Sequence, residues 1–83
     1  MIKVYGADWC GDTLRSNAFL TDIGVQFEYF DVDANPAAAQ EVIDLTGEAR
    51  PIPVIVLSNG DLIREPSDPQ LAAALMRDGA LEN

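Results

Sequence analysis

The one stretch carrying residue types for nucleophilic chemistry is Ala7-Asp8-Trp9-Cys10-Gly11-Asp12-Thr13, which holds the only cysteine among 83 residues. It falls where an apolar run, Ile2 to Tyr5, gives way to a helical pattern starting near Gly11. A thiol in the first turn of a helix faces unpaired backbone N–H groups and the positive end of the helix dipole, which favour the thiolate. The chemistry on offer is attack on sulfur. A lone cysteine is otherwise a small buried hydrophobe; its place after a strand, between Trp9 and Gly11, favours the reactive reading. Asp8 and Asp12 flank the sulfur, and like charges at such range oppose its ionisation. Alternatively both are solvated surface charges, or Asp12 complements the helix dipole. Cys10 and Arg15 also suggest a phosphate-cradling loop, but that loop needs one more residue than the four standing between them here.

The formal charge of -9, from 14 acidic and 5 basic side chains, repels nucleic acid and anionic membrane, so neither is an expected partner. The apolar runs at 54–57 and 71–76 are too short to span a bilayer, and the N-terminus lacks the basic and apolar regions of a signal peptide. A reducing cytoplasm is the default compartment, and it keeps Cys10 a free thiol. One cysteine excludes an internal disulfide, and with no histidine no metal is expected at a site built from this chain alone. Residues 1–83 make one domain near the lower size limit for a core without staples, and an apolar content of 48% must hold it together.

The elements that position Cys10 follow from periodicity. Ile2 to Tyr5 reads as a strand released by Gly6 into the thiol loop. From Asp12 to Ile23, the apolar residues Leu14, Ala18, Phe19, Leu20 and Ile23 recur at helical spacing, with Gly24 and Val25 as the cap. Gln26 to Val32 reads as a strand covered on both faces. Asn35-Pro36 opens a second helix with Ala38, Val42 and Leu45 on one face, stopped by Gly47. Strand, helix and strand in sequence imply a right-handed crossover and a parallel pair. Val54 to Leu57 and Leu62-Ile63, with Ser58-Asn59-Gly60-Asp61 between them, predict an antiparallel hairpin on the Asn-Gly signal. A last helix begins either on a capping box of Ser67 with Gln70 or on an Asp68 cap with Pro69 at the first helical position, and carries Leu71, Ala74 and Leu75 inward. Residues 78–83 are expected to fray.

This order, with a Trp-Cys turn after strand one and an X-Pro bond opening strand three, resembles the glutaredoxin branch of the thioredoxin fold over essentially the whole chain. It is most similar to the mycoredoxin and actinobacterial glutaredoxin-like group through Trp9-Cys10-Gly11, Asp31-Val32-Asp33, Pro51-Ile52-Pro53-Val54, Asn59-Gly60 and Pro66-Ser67. The resemblance implies an α/β fold of order βαβαββα, a four-stranded mixed sheet with helices on both faces, and a cis peptide before Pro53. A cis turn there would present the Ile52 N–H and C=O to an extended thiol ligand; without the family, Pro53 reads as a trans proline at a strand's first residue. The resemblance also places Arg50 near the carboxylate of a bound small thiol, and Ser67-Asp68 at the γ-glutamyl end of glutathione. Otherwise Arg50 is solvated surface, and Ser67 and Asp68 only cap the helix. The Gly-Gly of glutathione binders is replaced by Glu65-Pro66, which leaves glutathione or mycothiol as the co-substrate. Trp9 either flanks a groove for substrate or covers the edge of the core.

In two-cysteine relatives a second thiol stands where this chain has Thr13, and threonine cannot form a disulfide. One-thiol exchange through Cys10 remains, on mixed disulfides of a small thiol with protein. Thr13 either donates its hydroxyl hydrogen to the thiolate or is an ordinary first-turn residue. The expected partners are the small thiol and thiolated proteins, and a monomer suffices. Two other functions compete. One is a binding module in which Cys10 is vestigial and the acidic surface docks a basic partner. The other is iron–sulfur carriage, whose single-cysteine glutaredoxins carry Phe-Ser where this chain has Asp12-Thr13.

Overall fold

A computed structural model of the chain describes residues 1–81. Its elements are β1 (Ile2–Gly6), α1 (Gly11–Asp22), β2 (Phe27–Asp31), α2 (Pro36–Thr46), β3 (Val54–Val56), β4 (Leu62–Arg64) and α3 (Asp68–Asp78). The sheet order is β2-β1-β3-β4, with β1 and β2 parallel and the β1–β3 and β3–β4 pairs antiparallel. Period-2 alternation along the strands assigns two faces. Ile2, Val4, Ile55 and Ile63 meet Leu20 of α1 and Leu71, Ala74 and Leu75 of α3 on one side. Tyr5, Val54, Val56, Leu62 and Phe30 meet Ala38 and Val42 of α2 on the other. This is the expected α/β arrangement, a four-stranded mixed sheet with helices on both faces in the order βαβαββα. Among the described residues no helix is long and apolar enough to cross a membrane.

Four local readings change. First, α1 turns inward Thr13, Ser16 and Leu20, with Phe19 and Ile23 partly covered, whereas Leu14 is 53% exposed and Ala18 faces water. The Thr13 side chain sits against the bare α-carbon of Gly6, so the start of the helix approaches β1 closely, and that closeness outweighs the apolar count of the other stripe. Second, the inward stripe of α2 runs through Ala38, Ala39 and Val42 and leaves Leu45 exposed, while the Thr46 hydroxyl folds back onto the Val42 carbonyl at 2.7 Å. Third, the four residues from Ser58 to Asp61 close as a loop of three. Leu57 N–H bonds the Asp61 carbonyl at 2.8 Å, so Ser58, Asn59 and Gly60 form the loop, with Gly60 at φ 93°. A turn followed by a left-handed residue is the usual three-residue hairpin, and glycine takes that conformation without strain.

Fourth, the expected frayed tail is ordered through Leu81. Gly79 N–H caps α3 on the Met76 carbonyl, Ala80 and Leu81 N–H groups return to Leu75, and the Leu81 side chain packs on the core. The Asp78 carboxylate also accepts the Asn59 N–H at 2.8 Å, tying the hairpin to the helix end. Glu82 and Asn83, the rest of that tail, lie outside the described residues. At the start of α3 the capping box prevails over the Asp68 alternative. Ser67 is the N-cap, its Oγ accepting the Gln70 N–H at 3.3 Å and its N–H donating to Gln70 Oε1 at 2.9 Å.

Candidate functional site

The register gathers the candidate residues at one end of the sheet. β1 and β2 end there, β3 begins there because Tyr5 pairs with Val54, and β4 ends there because Val54 pairs with Arg64. Cys10 is the N-cap of α1, with an extended backbone (φ -84°, ψ 116°). Its N–H donates to the Ala7 carbonyl and its carbonyl accepts the Leu14 N–H, both at 3.0 Å. The side chain makes no capping hydrogen bond, so the sulfur is uncommitted at the positive end of the helix. It is half-buried and packs against the cluster containing Ala7, Val32 and Ile52. The Ile52–Pro53 peptide is cis, as the resemblance implies, and among the described residues no hydrogen bond engages the Ile52 N–H or C=O.

Thr13 lies below the thiol, fully buried, and its Oγ1 accepts the Ala7 N–H at 3.3 Å. That is the one hydrogen bond of its side chain among the described residues, so the hydroxyl stitches the thiol loop to α1. Gly6 explains why the helix can sit so low. A Cβ at Gly6 would stand 2.4 Å from both Thr13 Oγ1 and Cγ2, closer than atoms can approach.

Trp9, Asp33 and Arg50 join three loops on one side of the sulfur. Trp9 Nε1 donates to Asp33 Oδ2 at 2.6 Å, Arg50 pairs with Asp33 Oδ1, and the guanidinium lies 6.0 Å from the centre of the Trp9 ring. Trp9 is 67% exposed, which removes the reading that it covers the core edge. Arg50 is likewise not simply solvated, since a cation over an indole and beside a carboxylate is held by both.

On the other side, Arg15 links the starts of α1 and α3. Its guanidinium reaches the Pro66 carbonyl at 3.2 Å, Asp12 Oδ1 at 3.4 Å and Asp68 Oδ1 at 3.9 Å. Asp68 Oδ1 is shielded from water and accepts no hydrogen bond among the described residues. With Pro69 lacking an N–H and the Gln70 N–H taken by Ser67, the Asp68 N–H is the donor left open at that helix start.

The acidic neighbours of the thiol are partnered. Asp12 has Arg15, and Asp8 Oδ1 accepts the Tyr29 hydroxyl at 2.8 Å. Burial, reinforced by that bond and the Asp8 charge, pushes the Tyr29 phenol far above its ordinary value, so it stays a donor. Tyr5 behaves alike: burial and its 2.6 Å hydrogen bond to Glu41 hold it protonated.

Sequence reasoning named neither Tyr29 nor Asp33 as an individual site residue and weighed Arg15 only for phosphate. Arg15 had a local signal, since it follows Asp12 by three on one helix. The Tyr29–Asp8 bond had none, because it joins β2 to the thiol loop twenty-one positions earlier. Two concavities, between β4 and α3 and beside Met1 and Phe27, are lined by neither Trp9 nor Cys10.

Residues 2–63 match the family model described as Glutaredoxin. The chain belongs to the glutaredoxin family. A Mycobacterium tuberculosis protein provisionally named a glutaredoxin is 29% identical over 76 residues, 92% of this chain and 90% of that one. The crystal structure of a glutaredoxin from Archaeoglobus fulgidus superposes with a TM-score of 0.76 at 22% identity, covering 87% of this chain and 82% of that one. A buckwheat glutaredoxin–glutathione complex gives 0.65 at 20% identity, covering 96% and 71%. The chemistry of glutaredoxins is thiol–disulfide exchange, and this glutaredoxin carries one thiol for it.

Proposed function

We propose that this glutaredoxin is a one-thiol oxidoreductase acting on mixed disulfides between protein and a small thiol, glutathione or mycothiol. The observation that carries the reading is the Cys10 sulfur: uncommitted, half-exposed and capping α1, with Thr13 where a resolving thiol would stand. The Cys10 thiolate attacks the small thiol's sulfur in the mixed disulfide. The protein thiolate leaves and takes a proton from water, and Cys10 is left disulfide-bonded to the small thiol. A second small-thiol thiolate then attacks the small thiol's sulfur in that bond, releasing the small-thiol disulfide and regenerating the Cys10 thiolate. The net exchange consumes one mixed disulfide and one small thiol and yields one protein thiol and one small-thiol disulfide.

The surrounding groups match the ends of such a thiol. The open Ile52 backbone groups suit an extended ligand, Arg50 suits a carboxylate shared with Asp33, and the Asp68 carboxylate with the Asp68 N–H suits an amino acid head. The buckwheat complex supplies a precedent for glutathione in the fold. Glu65 takes the place of a glycine of the glutathione binders and is held at φ 45°, a conformation that strains any side chain with a Cβ. Trp9 flanks the approach of the protein part.

Reaction with oxidised glutathione and with oxidised mycothiol, followed by intact mass, tests the reading. One adduct per chain, removed by a reductant and absent in Cys10→Ser, is expected with one of the two. No adduct with either overturns it in favour of a binding module.

A further inference from the structure

We propose that Asp33 is a positioning residue for exchange at Cys10: its carboxylate is the shared anchor that holds the Trp9 indole and the Arg50 guanidinium in place beside the sulfur. The role rests on the one-thiol reading above. Asp33 stands on a braced piece of backbone. The Val32 N–H donates to the Gly6 carbonyl, the Asp33 N–H to Asp31 Oδ1 and the Asn35 N–H to the Asp31 carbonyl, each at 2.9 Å, and Asn35 caps α2. The two groups it holds are not braced. Trp9 and Arg50 lie outside the helices and strands with exposed side chains. Among the described residues, the one hydrogen-bonding partner of each is the Asp33 carboxylate.

The partners dictate the residue type. An indole N–H and a guanidinium only donate, so one side chain serving both needs two acceptor oxygens. A carboxylate has them: Oδ2 takes Trp9 and Oδ1 takes Arg50. An amide offers one oxygen and turns a donor toward the second partner. The arrangement closes on itself, because the guanidinium also lies 6.0 Å from the centre of the indole ring.

Each member of this triad is tied through the chain to the layer that borders the thiol. Asp33 follows Val32, Trp9 precedes Cys10, and Arg50 stands two residues before Ile52. Displacing the one carboxylate therefore disturbs two groups beside the sulfur at once. Holding long or bulky side chains before the substrate arrives removes an ordering cost from binding. The sign of the effect is distinctive. Were Asp33 chiefly a rival for the guanidinium, removing it would tighten the binding of a carboxylate-bearing thiol; as an anchor, its removal weakens binding.

The test is the saturation kinetics of Cys10 adduct formation on the full chain, with whichever of oxidised glutathione and oxidised mycothiol forms the adduct. Asp33→Ala should raise the half-saturating concentration about fivefold, the scale of one exposed ion pair, and leave the limiting rate unchanged. Asp33→Asn, with one acceptor left, should fall between the two. Combining Asp33→Ala with Arg50→Ala should cost less than the two single effects together, because one acts through the other. Trp9 is the chain's one tryptophan, so time-resolved fluorescence anisotropy reads its anchoring directly, and Asp33→Ala should add a fast component. An unchanged or lowered half-saturating concentration, a loss confined to the limiting rate, full additivity with Arg50→Ala, or an indole no freer in Asp33→Ala would each overturn the proposal. No adduct on the wild-type chain would remove the exchange reading and this role together. Normal adduct formation in Asp33→Ala would remove this role alone.

Discussion

On one face of the sheet, Leu20, Leu71 and Leu75 from two helices lie over Ile2, Val4 and Ile55 in an aliphatic layer. On the other, a single helix offers Ala38, Ala39 and Val42, and loops complete the layer with Ala7, Val32 and Ile52, leaving Cys10 at its margin. A face closed by helices hides every side chain it holds. A face closed by loops has a rim, and the rim is where a sulfur can be both packed and reachable. The two layers thus divide the work: one supplies stability, the other orients the reactive group.

Substitutions can break this comparison. Cys10→Ser should abolish exchange on a mixed disulfide while leaving the urea midpoint unchanged, because the side chain caps nothing and only borders its cluster. Residual turnover would place the chemistry elsewhere. Leu75→Ala, in the helix-closed face, should cost about 2–5 kcal/mol of unfolding free energy, a large share of the stability of a small domain. Val42→Ala in the other face removes less and should cost less; equal losses in urea titrations would erase the distinction. Gly6→Ala should cost about 1–3 kcal/mol by overpacking, and Thr13→Ala in the same chain should recover part of it, since the clash is with the Thr13 side chain.

The two tyrosines, Tyr5 buried and Tyr29 half-buried, sharpen the comparison, one from each side: Tyr5 belongs to the loop-closed cluster and Tyr29 packs on the other. Both phenols are raised by burial and by a carboxylate acceptor. The unfolded chain releases these protons near pH 10 and the folded chain holds them to higher pH, so their contribution is intact below about pH 10 and lost as pH rises further. Urea midpoints at pH 8 and 11 should show the loss, and Tyr5→Phe or Tyr29→Phe should each reduce it. The smallest effect expected is from Arg50→Ala, about a fivefold rise in KM for the small thiol with kcat little changed, as for one exposed ion pair.

Most of the fold was legible because strand alternation, caps and turn residues are local. The capping box at Ser67, the proline start at Pro36 and the thiol at the mouth of α1 all follow from neighbours in sequence. The inward face of α1 was not legible, because Thr13 is buried against Gly6 of β1, a closeness that hydropathy does not encode. The same limit applies to the rim. That Asp33 receives both Trp9 and Arg50, or that Tyr29 caps Asp8, depends on which loops the sheet order brings together. The ordered end of α3 was missed because a carboxylate at Asp78 finds its donor in a hairpin nineteen positions earlier.

The fit of Thr13 over the bare α-carbon of Gly6 has an evolutionary corollary. A side chain at position 6 is admissible only with one smaller than threonine at position 13, so the two should substitute in concert among descendants of this chain. Any lineage that acquires a second thiol at position 13 must therefore keep, or first regain, the vacancy beneath it.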